Sequence, residues 1–224
     1  MKAHGDQMVQ TSKFKCKLLI MTSGNNHEET VEFFEQNNLF GAEKGQIIFF
    51  KQSSLPAIDT DGKIVMKSKH ETNQAPNGNG ALFEAINSNK MIKGIIKSTK
   101  FVQVIGVDNV LNKILDPVQI GFNHSKGLEA SLKCCVKSSA AEKVGVVCIK
   151  NGKYDIVEYS ELTPEQADQT KDGDNTRLNL ELGSILIFML ESKKLLNLCA
   201  SAAKLNALYH KAFKKIEYFN KETG

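Results

Sequence analysis

The sequence predicts an α/β fold in which a mostly parallel sheet is covered by helices. Through the first half of the chain, short apolar runs of the kind that form buried strands alternate with helix-compatible segments. That alternation is typical of parallel sheets, whose strands are joined by crossover helices. The 224 residues suffice for one large or two small domains, and a hydrophobic content of 41% is enough to build a core.

Apolar runs bounded by turn residues define the elements of the first half. The predicted strands are Cys16–Met21, Gln46–Phe50 and Phe101–Val107. A turn signal at Asp59–Gly62 favours a hairpin over Leu55–Met66. The predicted helices are His27–Gln36, whose buried face comprises Val31, Phe33 and Phe34, and Gly80–Asn87.

The second half is predicted to begin with strands and to end with helix. Its predicted strands are Ser131–Val136, Val144–Ile149 and Tyr154–Val157. Asn151-Gly152 joins the last two, and Asn-Gly between β-rich runs is a strong hairpin signal. From Leu180 onward we expect helix, because apolar residues recur there at three- and four-residue spacing. That stripe consists of Leu198, Ala202, Leu205, Leu208, Ala212 and Ile216.

Composition argues against several classes of protein. A net charge of +4 with scattered basic residues indicates no nucleic-acid partner. The longest strongly apolar run, Ile185–Leu190, is far too short to span a membrane, and the polar N-terminus does not resemble a signal peptide. Five cysteines, two of them adjacent at Cys134 and Cys135, do not suggest a disulfide framework. A cytoplasmic protein is the simplest interpretation.

The loop Ala75–Gly80 is the most informative stretch of the chain. Gly78 and Gly80 flank Asn79 directly before a predicted helix, so a ligand can approach the backbone closely and meet the positive end of the helix. Asn79 adds an amide that both donates and accepts hydrogen bonds. Taken alone, the loop is better explained as an ordinary turn, because Pro, Asn and Gly are common turn residues.

Polar residues that follow predicted strands are the other candidates, because ligands of such sheets bind at the carboxyl ends of the strands. Asp108 could hold Mg²⁺ together with substrate phosphates, or it could cap a helical turn over Val110–Ile114. Gln52 could pair with the edge of a base. Glu158 and Tyr159 could bind sugar hydroxyls, or they could form an exposed strand end. No P-loop motif and no Ser-His-Asp arrangement is found.

A series of short motifs occurs in a fixed order along the chain. They are Met21–Gly24, Ile48–Gln52, Leu55–Ala57, Asp61–Ile64, Ala75–Gly80, Val107–Leu111, Asp116-Pro117, Ile120–Phe122, Lys143–Cys148 and Val157–Glu161. The series closely resembles the eukaryotic UDP-N-acetylglucosamine pyrophosphorylase family, also called UDP-N-acetylhexosamine pyrophosphorylase, over about residues 18–165. The resemblance implies a Rossmann-like nucleotidyltransferase fold of the GT-A kind, with a mixed sheet flanked by helices.

The resemblance also implies a reaction and roles for individual residues. The reaction is that of UTP with N-acetylglucosamine 1-phosphate, with Mg²⁺, to give UDP-N-acetylglucosamine and pyrophosphate. Gln52 and Gly78 would contact the uridine, and Asp108 would lie at the phosphates and the metal. The sugar would be bound by Asn79, Glu158, Tyr159 and Ser184. We expect these side chains to converge on one cavity.

Several departures from the family pattern set further expectations. Asn77 stands where the family has an acid, and Ser184 is shorter than the sugar-binding Asn of the family. The Gly-rich nucleotide loop of the family would lie N-terminal to the first strand and does not occur in this sequence. We therefore expect a form shortened at both ends, with impaired catalysis. The alternative is a non-catalytic paralogue that binds a UDP-sugar or a full-length partner.

Two expectations about organisation follow from the same reading. Residues 1–180 would form a partial catalytic domain that is incomplete at the N-terminus, and residues 181–224 would form a helical segment. A sheet without its first strand would expose an unpaired edge, so self-association through that edge is expected.

Overall fold

The computed structural model describes residues 16–201 and 215–220. The chain divides into two compact units. One contains the residues up to Ser98 together with those from Leu196 onward, and the other is Thr99–Leu195. The division of the chain at residue 180 stays a prediction.

The first unit begins with a β-α-β arrangement. Strand β1 (Leu18–Thr22) lies parallel to β2 (Ile47–Lys51), and helix α1 (His27–Gln36) connects them. Parallel neighbours need such a crossover, so the alternation read from the sequence is confirmed here.

Aromatic side chains pack α1 against β2. The ring of Phe34 lies edge-on to the rings of Phe40 and Phe49, each at a centroid distance of 5.2 Å. Phe33 was predicted to be buried but is 54% exposed, and among the aromatic residues of the described chain it contacts only Phe34 and Phe40.

A short antiparallel pair and two helices follow. Strand β3 (Ser54–Pro56) pairs with β4 (Gln74–Pro76), so the ends of the hairpin predicted over Leu55–Met66 pair outside it. Its inner part is confirmed, because an antiparallel bridge joins Ile58 to Ile64 and the backbone N of Val65 donates to the carbonyl of Ala57 at 2.8 Å. The predicted helix is confirmed as α2 (Ala81–Ser88).

Helix α3 (Lys90–Lys97) was not expected from the sequence. The Asn89 side chain caps it by accepting a hydrogen bond from the backbone N of Ile92 at 3.1 Å. Ile92 and Ile96, one turn apart, are fully buried, so one face of α3 contributes to the core.

The second unit is built on a five-stranded sheet. Its strands are β5 (Phe101–Ile105), β6 (Ala130–Val136), β7 (Val146–Lys150), β8 (Lys153–Val157) and β11 (Leu182–Glu191). Strand β11 pairs antiparallel with β5, β6 and β7, and β7 pairs antiparallel with β8. The hairpin predicted at Asn151-Gly152 is confirmed as β7 and β8, and together with the parallel pair of the first unit these strands give the mixed α/β architecture that was expected.

The helix expected from Leu180 onward is wrong for Leu182–Glu191, which forms the central strand. A continuous apolar run fits a buried strand as well as a buried helix, and here Ile187 and Met189 alternate as fully buried residues. Helix α6 (Ser192–Ser201) follows and contains Leu198. Ile216 lies outside any helix, and the rest of the predicted stripe lies outside the described residues.

The remaining elements connect these strands. Helix α4 (Pro117–Lys126) is capped by Asp116, whose carboxylate accepts a hydrogen bond from the backbone N of Val118 and pairs with Lys133. Helix α5 (Pro164–Asp168) precedes a hairpin of β9 (Thr170–Lys171) and β10 (Asp174–Leu178). No helix of the described residues has the length and apolar character needed to cross a membrane.

Candidate functional site

The carboxyl ends of β1 and β2 lie at one edge of the first unit. The backbone N of Gln52 donates a 2.8 Å hydrogen bond to the carbonyl of Thr22, so the two strand ends are held side by side. Gln52 therefore begins the loop that leaves this edge, the position at which ligands meet sheets of this kind.

Gln52 is bonded directly to Gly78. The backbone N–H of Gly78 donates to Oε1 of Gln52 over 2.9 Å. Gly78 has a φ of +90°, a conformation that glycine adopts at little cost. Because the side-chain carbonyl of Gln52 accepts from Gly78, its Nε2 group is the part that can donate to a ligand. The structure thus brings together the two residues predicted to contact uridine.

The rest of the loop is tied to the residue after Gln52. Asn77 Nδ2 donates to Ser53 Oγ at 3.0 Å, and Ser53 Oγ donates to Glu84 Oε2 at 3.0 Å. An aspartate at position 77, as in the family pattern, would place a second carboxylate against Glu84. Asn77 avoids that repulsion, which gives this departure a local electrostatic reason.

Asn79 lies at the start of α2, and its side chain is exposed. Its backbone carbonyl accepts a 3.2 Å hydrogen bond from the N of Leu82. A groove of about 360 Å³ runs beside this loop, between the Lys51–Ser53 segment and the Glu84–Asn89 side of α2.

In the second unit, Glu158 and Ser184 both lie next to Gly145. The backbone N of Ser184 donates to the carbonyl of Gly145 at 2.8 Å. A Cβ atom on Gly145 would lie 3.4 Å from Oε1 of Glu158 and 3.0 Å from Cγ2 of Ile156. The missing side chain at position 145 therefore leaves room for the Glu158 carboxylate. Tyr159, the next residue, is 46% exposed.

Asp108 lies in a turn just beyond β5 and is exposed. Residues 107–116 contain no helix, so the alternative in which Asp108 caps a helical turn over Val110–Ile114 is wrong. Asn109 holds this turn instead, since its Oδ1 accepts from the backbone N of Leu111 at 3.1 Å. Within the described part of the chain, no hydrogen bond or ion pair engages the Asp108 carboxylate.

The structure therefore brings together Gln52 with Gly78, and Glu158 with Ser184. These two pairs belong to different compact units, as do Asn79 and Asp108. The convergence of all the site residues on one cavity stays a prediction. Among the described residues, no group of three or more His, Cys, Asp or Glu side chains is arranged to hold a metal ion.

One buried charge near Ser184 was missed from the sequence. The Glu181 carboxylate is 8% exposed and accepts hydrogen bonds from Arg177 Nη2 at 2.5 Å and Lys171 Nζ at 2.6 Å. Hydrogen bonds from Arg177 and Lys171 lower the pKa of Glu181 from 4.5 to about 2. The turn residues Asp172-Gly173 were the sequence signal for the hairpin that carries these cations.

The mixed α/β arrangement, with a β-α-β unit and a five-stranded sheet, defines the class: it is a nucleotidyltransferase-like fold. The chain belongs to the family described as UTP–glucose-1-phosphate uridylyltransferase, whose pattern matches residues 3–206.

Individual relatives show which members of the family the chain is similar to. The chain is 40% identical over 223 residues to the UDP-N-acetylglucosamine pyrophosphorylase of Saccharomyces cerevisiae, a match that covers 97% of this chain and 45% of that protein. It is 38% identical over 205 residues to the UDP-N-acetylhexosamine pyrophosphorylase-like protein 1 of Xenopus tropicalis, covering 91% of this chain and 39% of that protein. The chain thus spans less than half the length of these curated relatives.

A solved structure gives the same result for the fold. The uridine diphosphate N-acetylglucosamine pyrophosphorylase of Trypanosoma brucei, in complex with an inhibitor, matches with a TM-score of 0.74 at 30% identity. The match covers 89% of this chain and 40% of that chain. The resemblance inferred from the motifs is therefore confirmed, as is the predicted fold class.

Replacing Glu181 by Gln (E181Q) should make stability depend less on pH. A carboxyl whose pKa is lowered by folding stabilises the protein above its unfolded pKa of 4.5 and loses that contribution as the pH falls toward about 2. We expect E181Q to melt at a lower temperature than the wild type at pH 7, and the difference should shrink below pH 4.5. Thermal melts from pH 7 to pH 2.5 measure it. The exposed-carboxylate variant D168N should follow the wild type, and a gap between E181Q and wild type that is constant with pH would contradict the assignment.

Proposed function

We propose that this chain binds UTP and N-acetylglucosamine 1-phosphate, or UDP-N-acetylglucosamine, and serves the transfer that yields UDP-N-acetylglucosamine and pyrophosphate. The observation that carries the proposal is the hydrogen bond from Gly78 to Gln52 beside the carboxyl ends of β1 and β2. Two residues 26 positions apart in the chain, both proposed as uridine contacts, are hydrogen-bonded there. The proposal is supported by the family membership and by the similarity of the chain to UDP-N-acetylglucosamine pyrophosphorylases of other organisms.

Gln52 would select the base through its donor group. The carbonyl of its side chain accepts from Gly78, so Nε2 can donate to a carbonyl oxygen of uracil. Cytosine presents an amino group where uracil has its 4-carbonyl, and two donors facing each other would be unfavourable. The absence of a Cβ at Gly78 would let the base approach the backbone closely.

The sugar would lie against the residues around Gly145. The Glu158 carboxylate can accept hydrogen bonds from two sugar hydroxyls, and the exposed ring of Tyr159 offers a flat apolar face with one hydroxyl. Ser184 would reach the sugar less far than the longer Asn of the family pattern. Asn79, which belongs to the first unit, stays a predicted sugar contact through the donor and acceptor of its amide.

The reaction itself asks the protein for position and charge more than for covalent chemistry. A phosphate oxygen of the sugar phosphate attacks the α-phosphorus of UTP, the new P–O bond forms, and the bond to the pyrophosphate oxygen breaks with its electron pair. The chain's own contribution would be to hold the two anions in line.

A divalent cation, proposed as Mg²⁺, would neutralise phosphate charge when bound. Asp108 fits this role by its chemistry, because Mg²⁺ is commonly held by one or two carboxylates together with substrate phosphates. The carboxylate is exposed and unengaged among the described residues, so it can turn toward a ligand.

A second candidate is a non-catalytic chain that binds the UDP-sugar or a longer partner of the same family. Ser184 in place of the family Asn favours it, because a shorter sugar contact is consistent with a chain that binds the UDP-sugar without catalysing its formation. Measurement of pyrophosphate release from UTP and N-acetylglucosamine 1-phosphate separates the two candidates. Release above the uncatalysed rate supports the transferase, and binding of UDP-N-acetylglucosamine without release supports the second candidate.

Changing Gln52 to Glu (Q52E) should weaken nucleotide binding while the loop keeps its shape. Glutamate retains an oxygen for the N–H of Gly78 but replaces the Nε2 donor by an acceptor that would face the uracil carbonyl. We expect the affinity for UDP to fall about tenfold, which corresponds to about 1.4 kcal/mol. Isothermal titration calorimetry measures it. The variant Q169E carries the same change of charge on an exposed residue and should bind like the wild type, and equal affinities of Q52E and wild type would remove Gln52 from the site.

Replacing Asp108 by Asn (D108N) should abolish the effect of Mg²⁺. We expect UTP to bind the wild type more tightly when Mg²⁺ is added, and D108N to bind it about equally with and without the ion, because an amide is a much weaker magnesium ligand than a carboxylate. Titrations of UTP with and without Mg²⁺ measure this without reference to turnover. A D108N protein that keeps the full Mg²⁺ effect would exclude Asp108 as the ligand, and D168N serves as the matched control.

We also propose self-association through β1, which pairs with β2 alone among the described strands. An edge strand offers unpaired backbone groups to another copy, and Leu18 on it is 36% exposed. Size-exclusion chromatography should show species larger than a monomer at high concentration, and L18K should shift them toward the monomer, because an edge lysine opposes strand addition. A single monomeric peak at every concentration would refute this proposal.

A further inference from the structure

Strand β11 contains an irregularity between two regular stretches of pairing with β6. Ser184 is opposite Cys134, and Ile187 is opposite Lys133. Neighbouring residues of β6 are therefore matched by residues three apart on β11, which leaves Ile185 and Leu186 without partners on β6. This is a β-bulge of two residues, and such bulges re-aim side chains next to functional sites.

The bulge depends on a conformation that leucine rarely adopts. Leu186 has a φ of +54°, in the left-handed region that disfavours residues with a side chain. A regular strand would favour leucine in extended backbone, so the surrounding structure must hold this residue in place.

Gly106, the residue after β5, supplies that support. Its backbone N donates to the carbonyl of Leu186 at 3.1 Å. A Cβ atom at position 106 would lie 2.6 Å from Cδ2 of Leu186, closer than carbon atoms can approach without something shifting. A side chain at position 106 would therefore force the Leu186 side chain to move from the position that it takes at the bulge.

Two proposed ligand contacts lie at equal distances along the chain from this junction. Asp108 follows Gly106 by two residues, and Ser184 precedes Leu186 by two residues. Loss of the bulge would slide the Ser184 end of β11 relative to β6 by up to two residues, or about 7 Å. The same loss would release the backbone bond that fixes where the chain turns from β5 toward Asp108.

We propose that Leu186 and Gly106 are positioning residues, whose bulge junction sets Ser184 and Asp108 for the sugar and phosphate ends of one UDP-sugar. The inference rests on the proposed function for the identity of the ligand. Both residues of the junction, and both ligand contacts that it would position, lie within the second unit.

The test uses the full chain with two substitutions at position 186. Isoleucine has the volume of leucine but is β-branched, and β-branched residues tolerate positive φ poorly, whereas glycine adopts it freely. We expect L186I to bind UDP-N-acetylglucosamine about tenfold more weakly in the presence of Mg²⁺ and L186G to stay within about threefold of the wild type. UMP without Mg²⁺, which probes the Gln52 end, should bind all three proteins within about twofold.

Leu190 provides the matched control, because it lies in a regular part of the same strand, opposite Val102 and Ala130. At position 190 isoleucine should be tolerated and glycine should be harmful, which is the opposite of what we expect at position 186. L190I should melt close to the wild type and L190G at a clearly lower temperature, because isoleucine favours regular strands and glycine does not. If L186I binds both ligands like the wild type, or weakens UMP as much as the UDP-sugar, the positioning role is refuted.

A measurement without ligand keeps the inference separate from the proposed function. Amide hydrogen exchange should rise in L186I at residues 106–108 and at 184–187 together, and in neither segment of L186G. The variant G106A should show the same joint rise, and G106A/L186G should reverse it, because the clash involves only side-chain atoms of Leu186. If the wild type binds no nucleotide, the proposed function fails. The amide exchange data would still show whether Gly106 and Leu186 support each other. A rise confined to one segment, or a double variant that behaves like G106A, overturns the inference.

Discussion

Backbone pairing along β11 is the constraint on which the second unit depends. This one strand is hydrogen-bonded to β5, β6 and β7, so three candidate ligand contacts are located by reference to it. Ser184 belongs to β11 itself, Asp108 follows β5, and Glu158 follows the strand paired with β7. Burial of Ile187 and Met189 stabilises the strand, and the polar contacts come from its irregular end, where the pairing changes register. One end of β11 thus contributes to the core, and the other end contributes to the candidate site.

In the first unit, side-chain hydrogen bonds hold the glycine-rich loop Ala75–Gly80 in one conformation. Glycines at the loop increase the entropy lost on folding, and side-chain hydrogen bonds offset part of that loss. Gln52, Ser53 and Glu84 together provide these bonds from outside the loop. The substitution of Asn77 for an acid is compatible with this network because Glu84 already contributes the carboxylate. A departure from the family pattern can therefore reflect a local rearrangement of charge.

Much of the fold could be predicted from the sequence, and the exceptions have physical causes. The helix His27–Gln36 and the strands around Asn151-Gly152 were found because each carries its own local signal, periodicity in one case and turn chemistry in the other. Strand β11 was taken for helix because an uninterrupted apolar run has no period that separates the two. Helix α3 was missed because its buried face is only two residues, Ile92 and Ile96. The antiparallel pairing of the second unit depends on contacts between distant segments, which local patterns do not record.

In the candidate site, too, some residues could be predicted from the sequence and others could not. Gln52, Gly78, Asp108 and Glu158 could be named because polar residues after strands are visible in the sequence. Gly106, Gly145 and Leu186 could not, since their importance lies in what a side chain would strike or which backbone angle it must adopt. Residues that shape a site by leaving space have no chemical signature of their own.

The ionised cluster of Glu181 with Arg177 and Lys171 has one more consequence, for ionic strength. Salt weakens attractions between charges that lie farther apart than the Debye length, about 8 Å at physiological ionic strength. The oxygen–nitrogen distances here are 2.5 and 2.6 Å, and the carboxylate is shielded from water. The attachment of the Thr170–Leu178 hairpin to the start of β11 therefore depends less on salt concentration than an ion pair between fully exposed side chains would.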